Sequence, residues 1–157
     1  MANHAGGISF VAFVVAVAVS IGYYQYVYIP EVNAKPHLPE IILNPPQSGE
    51  VQIAAGASIQ SNGKFFEPKH LRTTIGIDNK IIWTNTDTVP HTVTSDDGYV
   101  DKINGPFNSL AHQDVGGGFV MPGTTYTFTF TKTGTYGYHC EPHPWMQGQI
   151  EVIENFA

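Results

Sequence analysis

The stretch Thr125-Tyr126-Thr127-Phe128-Thr129-Phe130-Thr131 alternates between threonine and aromatic residues over seven consecutive positions. Successive side chains of a β-strand point to opposite faces of its sheet. The pattern therefore predicts a strand whose aromatic face lies in a core and whose threonine face meets water.

The rest of the C-terminal two thirds also has the composition of strands, separated by turn dipeptides such as Gly-Pro, Pro-Gly and Thr-Gly. Apolar residues alternate or dominate in residues 71–77, 80–84 and 149–153. About seven short strands across residues 51–157 predict an all-β domain, an antiparallel β-sandwich or Greek-key barrel. Residues 97–122 are too long for a tight turn, and we expect a short helix there.

The first thirty residues contain no Asp, Glu, Lys or Arg. Within them, residues 8–29 form an apolar run whose only strongly polar side chain is Gln25. As a helix this run measures roughly 33 Å, enough to cross the hydrocarbon core of a membrane. Aromatic residues favour the headgroup region, and four tyrosines lie near the end of the run: Tyr23, Tyr24, Tyr26 and Tyr28. The sequence therefore predicts a transmembrane anchor over residues 1–29.

A cleaved signal peptide is the alternative interpretation, because Ala16-Val17-Ala18 matches an A-x-A cleavage pattern. The apolar run continues well past Ala18 and no basic residue precedes it, which favours an uncleaved anchor. Both interpretations export the rest of the chain. We therefore expect a single-pass protein of the cell membrane whose main domain lies on the extracytoplasmic, periplasmic side.

Residues 30–50 contain five prolines and no periodic apolar pattern. Such a segment tends toward polyproline II, so we predict a semi-rigid linker between the anchor and the domain. The apolar triplet Ile41-Ile42-Leu43 offers a docking point on the domain.

Charge and cysteine content exclude several classes of protein. The chain has a formal net charge of −6 and a single cysteine. The acidic balance leaves no basic stripe for phosphates, so nucleic-acid binding is not expected. One cysteine excludes internal disulfides, cysteine-only zinc sites and the two-thiolate CuA centre. A multicopper oxidase is excluded because the sequence has no His-x-His pair.

The heptapeptide Cys140-Glu141-Pro142-His143-Pro144-Trp145-Met146 places a thiolate, an imidazole and a thioether close together at the end of a predicted strand. Zinc favours additional thiolate or carboxylate ligands, whereas copper accepts all three of these groups. Two histidines and one cysteine with a long axial methionine are typical of blue-copper electron-transfer sites. The candidate for the second histidine is His91, which follows Pro90 at the start of another strand.

Two segments around these candidate ligands, WTNTDTVPHTVTS (83–95) and GTYGYHCEPHPWMQGQIEVI (134–153), resemble the ligand regions of cupredoxins. The C-x2-H-x2-M loop is similar to that of amicyanins. The resemblance implies a cupredoxin domain over residues 51–157, with one type 1 copper ion bound by His91, Cys140, His143 and Met146. Thr92 departs from the family pattern, which has an asparagine there that ties the two ligand loops together.

The leading hypothesis is a membrane-tethered one-electron carrier, not an enzyme, that cycles between Cu(I) and Cu(II). Its expected partner is a redox protein or a membrane respiratory complex that docks transiently near His143 and Trp145. One alternative is a mononuclear copper enzyme acting on a small nitrogen oxide, which requires an open copper position. The other is a fixed electron-transfer subunit of a larger respiratory complex.

Overall fold

The structure is a computed structural model that describes residues 5–33, 37–112 and 116–155. The chain forms two compact units, residues 1–36 and 37–157. In the first unit, helix α1 (Ala5–Tyr23) continues through a π-helical turn (Tyr24–Tyr28) into helix α2 (Ile29–Val32).

The N-terminal helix continues beyond residue 29 and includes Pro30, although proline lacks the N–H that an α-helix interior requires. The N–H of Ile29 donates to the Tyr24 carbonyl, five residues back. This wider turn places Pro30 in the first turn of α2, where proline is tolerated. The stretch Phe10–Val32 is long and apolar enough to cross a membrane, a property that signal sequences near an N-terminus share.

The second unit is a β-sandwich. Its strands are β1 (Ser48–Ile53), β2 (Phe66–Glu67), β3 (His70–Thr74), β4 (Lys80–Asn85), β5 (Thr94–Ser95), β6 (Val100–Asp101), β7 (Gly105–Pro106), β8 (Thr125–Thr129), β9 (Gly134–Cys140) and β10 (His143–Ile153). One sheet has the strand order β2-β1-β4-β8 and the other β3-β10-β9-β5, while β6 and β7 form a separate ribbon. The predicted sandwich is therefore confirmed.

Both sheets are mixed, whereas the sequence predicted antiparallel pairing. Strand β1 pairs in parallel with β4, and β3 pairs in parallel with β10. Parallel neighbours need a crossover connection, and between β1 and β4 the chain visits the other sheet to form β3. The alternation of residues within one strand carries no information about such distant pairing.

The aromatic face of strand β8 lies in the core, as its alternation predicted. Tyr126 and Phe128 are buried, as is Phe130 directly after the strand. The indole of Trp83 in β4 lies at the centre of the core, and its ring centroid is 5.5 Å from that of Tyr138 in β9. Aromatic rings from the two sheets therefore contact each other, and β9 is held from its inner face.

The β9–β10 hairpin lies at one end of the sandwich, and the segment that precedes β1 lies at the other. At one end β9 turns into β10, and Cys140 pairs with His143 across this hairpin. At the opposite end, where β1 and β4 begin, the Nδ2 of Asn79 donates a 2.9 Å hydrogen bond to the Ile42 carbonyl in helix α3 (Glu40–Leu43). Part of the predicted linker thus lies on the sandwich, and the chain enters the domain at the end opposite Cys140.

Residues 97–122 hold no α-helix within their described part. They contain the β6–β7 ribbon and two 3₁₀ turns, Ser109–Ala111 and Gly116–Gly118. The buried carboxylate of Asp101 accepts hydrogen bonds from the hydroxyls of Tyr99 and Thr131 and from two backbone N–H groups of the loop that follows it. The expected short helix thus takes the form of single 3₁₀ turns, and the loop before them is organised around this carboxylate.

Candidate metal centre

Three of the four predicted ligands converge at the hairpin end of the sandwich. The Sγ of Cys140 lies 3.6 Å from the Nδ1 of His91 and 3.5 Å from the Nδ1 of His143. One ligand atom from each residue lies within 4.8 Å of the other two. His91 and Cys140 are fully buried and His143 is partly exposed, so one ligand reaches the protein surface.

The backbone around each of these residues is fixed by local hydrogen bonds and ring constraints. His91 exchanges two backbone hydrogen bonds with Val120, of 3.1 and 2.9 Å. Cys140 is the last residue of β9, and His143 is the first residue of β10. Prolines on both sides of His143 fix two neighbouring φ angles. The backbone at these three residues is therefore restricted, which limits how far their side chains can move.

The spacing of the three ligand atoms suits one transition-metal ion. With metal–sulfur and metal–nitrogen bonds of about 2.3 and 2.0 Å, sulfur–nitrogen separations of this size correspond to angles of about 110°. The two sulfur–nitrogen separations therefore suit one ion that binds the cysteine sulfur and a histidine nitrogen on each side of it. One thiolate with two imidazoles is a donor set that suits copper.

Met146, the fourth predicted ligand, is fully buried in strand β10. The pairing of β9 with β10 is irregular between His143 and Gln147, so the strand bulges where Met146 lies. Met146 belongs to the same buried cluster as Cys140. Met146 therefore stays a predicted ligand, located three residues after His143 on the same strand.

Thr92 links the two ligand loops, although the family pattern has asparagine at this position. Its backbone N–H donates to the Cys140 Sγ over 3.3 Å, and its hydroxyl oxygen lies 3.9 Å from the same sulfur. The hydroxyl oxygen also accepts a 2.8 Å hydrogen bond from the N–H of Glu141. Thr92 therefore contacts both the sulfur and the loop that follows it.

The environment of Cys140 favours the protonated thiol while no metal is bound. Burial raises the pKa of Cys140, and this effect outweighs the hydrogen bonds from Thr92 that lower it. A metal ion requires the thiolate, so binding displaces the thiol proton.

Asp87 is the functional residue that the sequence analysis missed. Burial by itself would raise the pKa of Asp87, but four hydrogen bonds hold it well below its usual value. Three of them come from the backbone N–H groups of Gly56, Ser58 and Thr88, and the fourth comes from His91. A metal-binding histidine commonly donates its second ring N–H to a carboxylate, and this rule is the signal that could have identified an aspartate four residues before His91.

Asp87 also fixes which nitrogen of His91 is free. Burial lowers the pKa of His91 and outweighs the opposing effect of Asp87, so the ring is neutral. Its single N–H lies on Nε2, which is 2.9 Å from the Asp87 Oδ2. The Nδ1 lone pair is therefore directed toward Cys140, as a metal ligand requires.

Trp145, which the sequence analysis places with His143 near the expected docking site, is partly buried. Its Nε1 donates a 3.2 Å hydrogen bond to the Ala57 carbonyl. Its ring centroid is 5.3 Å from that of His143. Trp145 thus lies beside the surface ligand and is also attached to the domain.

A β-sandwich with a buried cysteine and two histidines converging at one end has the architecture of a cupredoxin, a class of small copper proteins. Residues 53–153 match the sequence profile of the copper binding proteins of the plastocyanin/azurin family. The chain belongs to this family, and copper is its cofactor.

Curated relatives support this assignment. Amicyanin from Paracoccus denitrificans is 30% identical over 102 residues, which cover 64% of this chain and 69% of the relative. Plastocyanin from Scenedesmus fuscus is 34% identical over 107 residues, which cover 66% of this chain and 99% of the relative. The chain is therefore a copper protein of the electron-transfer class.

Solved structures show the same fold. A purple cupredoxin from Nitrosopumilus maritimus matches with a TM-score of 0.52 at 26% identity, covering 68% of this chain and 100% of that one. A copper-containing nitrite reductase from Thermus scotoductus SA-01 also has a TM-score of 0.52, at 24% identity, covering 78% of this chain and 28% of that one. The likeness to the reductase concerns the fold alone.

Proposed function

We propose that this chain is a membrane-tethered type 1 copper protein that acts as a one-electron carrier. His91, Cys140 and His143 would hold the copper ion, and the Met146 thioether would be the fourth ligand. The observation that carries the proposal is the convergence of the first three ligand atoms within 4.8 Å of one another. Bound copper supplies the chemistry, a one-electron change between Cu(I) and Cu(II).

Rapid electron exchange requires ligands that move little when the oxidation state changes. The backbone of His91 is bound to Val120, and Cys140 receives the Thr92 N–H. These hydrogen bonds hold the ligand set in one geometry, so little rearrangement accompanies the gain or loss of an electron. The fully buried positions of His91 and Cys140 also keep water away from the sulfur.

His143 is the proposed route for electrons to and from a partner. It is the partly exposed ligand, and the prolines on both sides of it are exposed, as is Pro90 beside His91. With Trp145, these residues offer a small apolar surface of the kind that transient redox complexes use. We propose that a redox protein or a membrane respiratory complex docks here.

The proposed tether is the helical stretch Phe10–Val32, whose length and composition suit a membrane span. It would keep the copper domain on the extracytoplasmic side and raise its local concentration near a membrane partner. The intact mass of the protein recovered from native membranes tests this point. A mass that includes residues 1–33, with release only by detergent, is expected. Recovery of a shortened, soluble chain would identify a cleaved signal instead.

Optical and EPR spectra of the copper-loaded protein test the proposed site. We expect an intense visible band from thiolate-to-copper charge transfer and a narrow copper hyperfine splitting. Met146→Gln should alter both, because an amide oxygen binds copper more strongly than an axial thioether. Met121→Gln is the matched control, since Met121 lies exposed in a turn, and it should leave both spectra unchanged.

A protein that stays colourless with Cu(II) would contradict the proposed site. The carrier role has its own test, in which reduced protein is mixed with membranes that contain an oxidised respiratory chain. Rapid reappearance of the visible band is expected. Sustained turnover of nitrite or nitric oxide without any protein partner would contradict the carrier role and favour a copper enzyme.

A further inference from the structure

The carboxylate of Asp87 connects His91 to a loop that the ligand motifs do not include, residues 54–58. Its Oδ1 accepts the N–H of Gly56 over 2.9 Å, and its Oδ2 accepts the N–H of Ser58 over 3.2 Å. The same Oδ2 accepts the Nε2–H of His91 over 2.9 Å. Asp87 is only 5% exposed, so water does not compete for these hydrogen bonds. Together with the Thr88 N–H, which binds the same carboxylate, the 54–58 loop therefore determines the orientation of the His91 ring.

Trp145 connects the same loop to His143. Its Nε1 donates to the carbonyl of Ala57, the residue between Gly56 and Ser58, whose N–H groups bind Asp87. Its ring packs beside the His143 ring, with 5.3 Å between centroids and an angle of 56° between the planes. The position of the 54–58 loop therefore also restricts the space in which His143 can turn.

The 54–58 loop has the internal structure of a rigid element. The N–H of Ala57 donates to the Ala54 carbonyl over 3.1 Å, and Ala57 is fully buried. Gly56 has a φ of +76°, a value that favours glycine. A Cβ added at Gly56 would lie 2.9 Å from the Nδ2 of Asn62, which itself donates to the Ala55 carbonyl. The loop is thus held on its outer side as well.

From these contacts we infer that residues 54–58 form a positioning element shared by both histidine ligands, with Asp87 acting on His91 and Trp145 acting on His143. The inference rests on the proposed assignment of these histidines as copper ligands. The ring centroids of the two histidines are 4.9 Å apart. The shared loop fixes this separation before any metal binds, because its hydrogen bonds involve protein groups alone.

Amide hydrogen exchange of the copper-free protein tests the coupling directly. Trp145→Phe keeps an aromatic ring beside His143 and removes the N–H that binds Ala57. Exchange at Gly56 and Ser58 should accelerate roughly five- to tenfold, as expected for the loss of one intramolecular hydrogen bond. Trp145 does not bind either of these amides, so acceleration there means that the loop transmits the change. Unchanged exchange at both amides would overturn the inference.

Copper affinity gives a second readout through a double-mutant cycle of Asp87→Asn and Trp145→Phe. Asp87→Asn should weaken copper binding about tenfold, the lower end of the range for losing a carboxylate behind a metal-binding histidine. It should also raise the reduction potential, since a negative charge near the oxidised site is removed. The fold-loss of copper affinity in the double variant should be smaller than the product of the two single fold-losses, because both substitutions act through one loop. A double loss equal to that product would overturn the inference.

Thr124→Val is the matched control, because Thr124 also makes a side-chain hydrogen bond to a backbone carbonyl at this end, 2.8 Å to Met121, without touching the 54–58 loop. It should change neither the exchange at Gly56 and Ser58 nor the copper affinity. The visible band separates the two proposals. A colourless copper complex would refute the ligand assignment, whereas a blue complex with independent effects at Asp87 and Trp145 would refute the shared loop alone.

Discussion

The hydroxyl of Thr92 serves as both a loop tie and a neighbour of the cysteine sulfur. The Glu141 N–H occupies one acceptor position of the hydroxyl oxygen, and the hydroxyl hydrogen is free to point at the sulfur 3.9 Å away. A hydrogen bond to a thiolate withdraws electron density from it. Electron density donated by the thiolate stabilises Cu(II) more than Cu(I), so the hydrogen bond favours the reduced state.

Thr92→Val should therefore lower the reduction potential of the copper site. The substitution keeps the shape of the side chain and removes the hydroxyl, which leaves the Glu141 N–H without its acceptor. We expect the free energy of unfolding to fall by about 1–2 kcal/mol. Cyclic voltammetry and denaturant unfolding measure the two effects.

Thr92→Ser is the control for this prediction, since it retains the hydroxyl and should keep the potential close to that of the parent protein. If the valine and serine variants had equal potentials, the hydroxyl would have no influence on the sulfur. The backbone N–H of Thr92, which is common to all three proteins, would then account for the whole effect.

The ligands differ in how far they could be predicted from the sequence. Cys140, His143 and Met146 lie within seven residues, so their spacing alone indicated a shared site. His91 is 49 positions away from Cys140, so it was chosen for its place after Pro90 at the start of another strand, and the resemblance to cupredoxins then supported that choice. Asp87 lies only four positions before His91 and could have been found, but its partners Gly56 and Ser58 lie about 30 positions away and are revealed only by the folded chain.

Strand β8 and the loop of residues 97–122 show the same limit for whole secondary-structure elements: local patterns can be predicted from the sequence, but contacts between distant positions cannot. The alternation in β8 identified the buried face because burial of a strand follows a period of two. The loop has no such period, since its structure depends on one carboxylate, that of Asp101, which gathers donors from positions as far away as Thr131. The parallel pairing of β1 with β4 was missed for a related reason, because it joins strands that are distant in the chain.

Asp101→Asn should destabilise the domain at neutral pH by about 2 kcal/mol, because hydrogen bonds to a charged acceptor are lost from a buried site. Burial raises the pKa of Asp101, but hydrogen bonds from Thr131, Asn104 and Ile103 outweigh it and lower the pKa below its usual value. The stabilisation of the folded domain by the Asp101 carboxylate is therefore complete above about pH 4, the range in which an unfolded aspartate ionises. It is lost as the pH falls through the lower pKa of the folded state. Urea unfolding at pH 7 and pH 3 measures the difference.

Glu154→Gln is the control for this experiment, because Glu154 is exposed near the end of the described chain. This substitution should change the free energy of unfolding by no more than about 0.5 kcal/mol. A stability difference between Asp101→Asn and the parent protein that grew toward acid pH would contradict the assigned role of the carboxylate.

At the scale of the whole molecule, the division into residues 1–36 and 37–157 predicts that the copper domain folds without its N-terminal unit. A chain that starts at His37 retains helix α3 and every strand of the sandwich. We expect its melting temperature to match that of the full chain in detergent to within about 2 °C, the shift that a change of some 0.5 kcal/mol would cause. Calorimetry measures the melting temperature, and the visible spectrum checks that the shortened chain still forms the copper domain.

A longer deletion tests which part of the N-terminal region the domain needs. A chain that starts at Ser48 lacks helix α3 and leaves the buried side chain of Asn79 without the Ile42 carbonyl. It should melt several degrees lower than the chain that starts at His37. Equal melting temperatures for the two truncated chains would show that α3 adds nothing to the stability of the domain.

The point at which the chain enters the sandwich has a practical consequence for electrochemistry. Strand β10 has 11 residues, and at 3.3 Å per residue it spans roughly 36 Å between the two ends of the domain. A protein film fixed to gold through a tag before His37 would hold its metal about that far from the conductor. Such a film would exchange current slowly with the electrode while leaving His143 open to reactants dissolved in the electrolyte. Immobilisation through a residue beside His143 would reverse both properties.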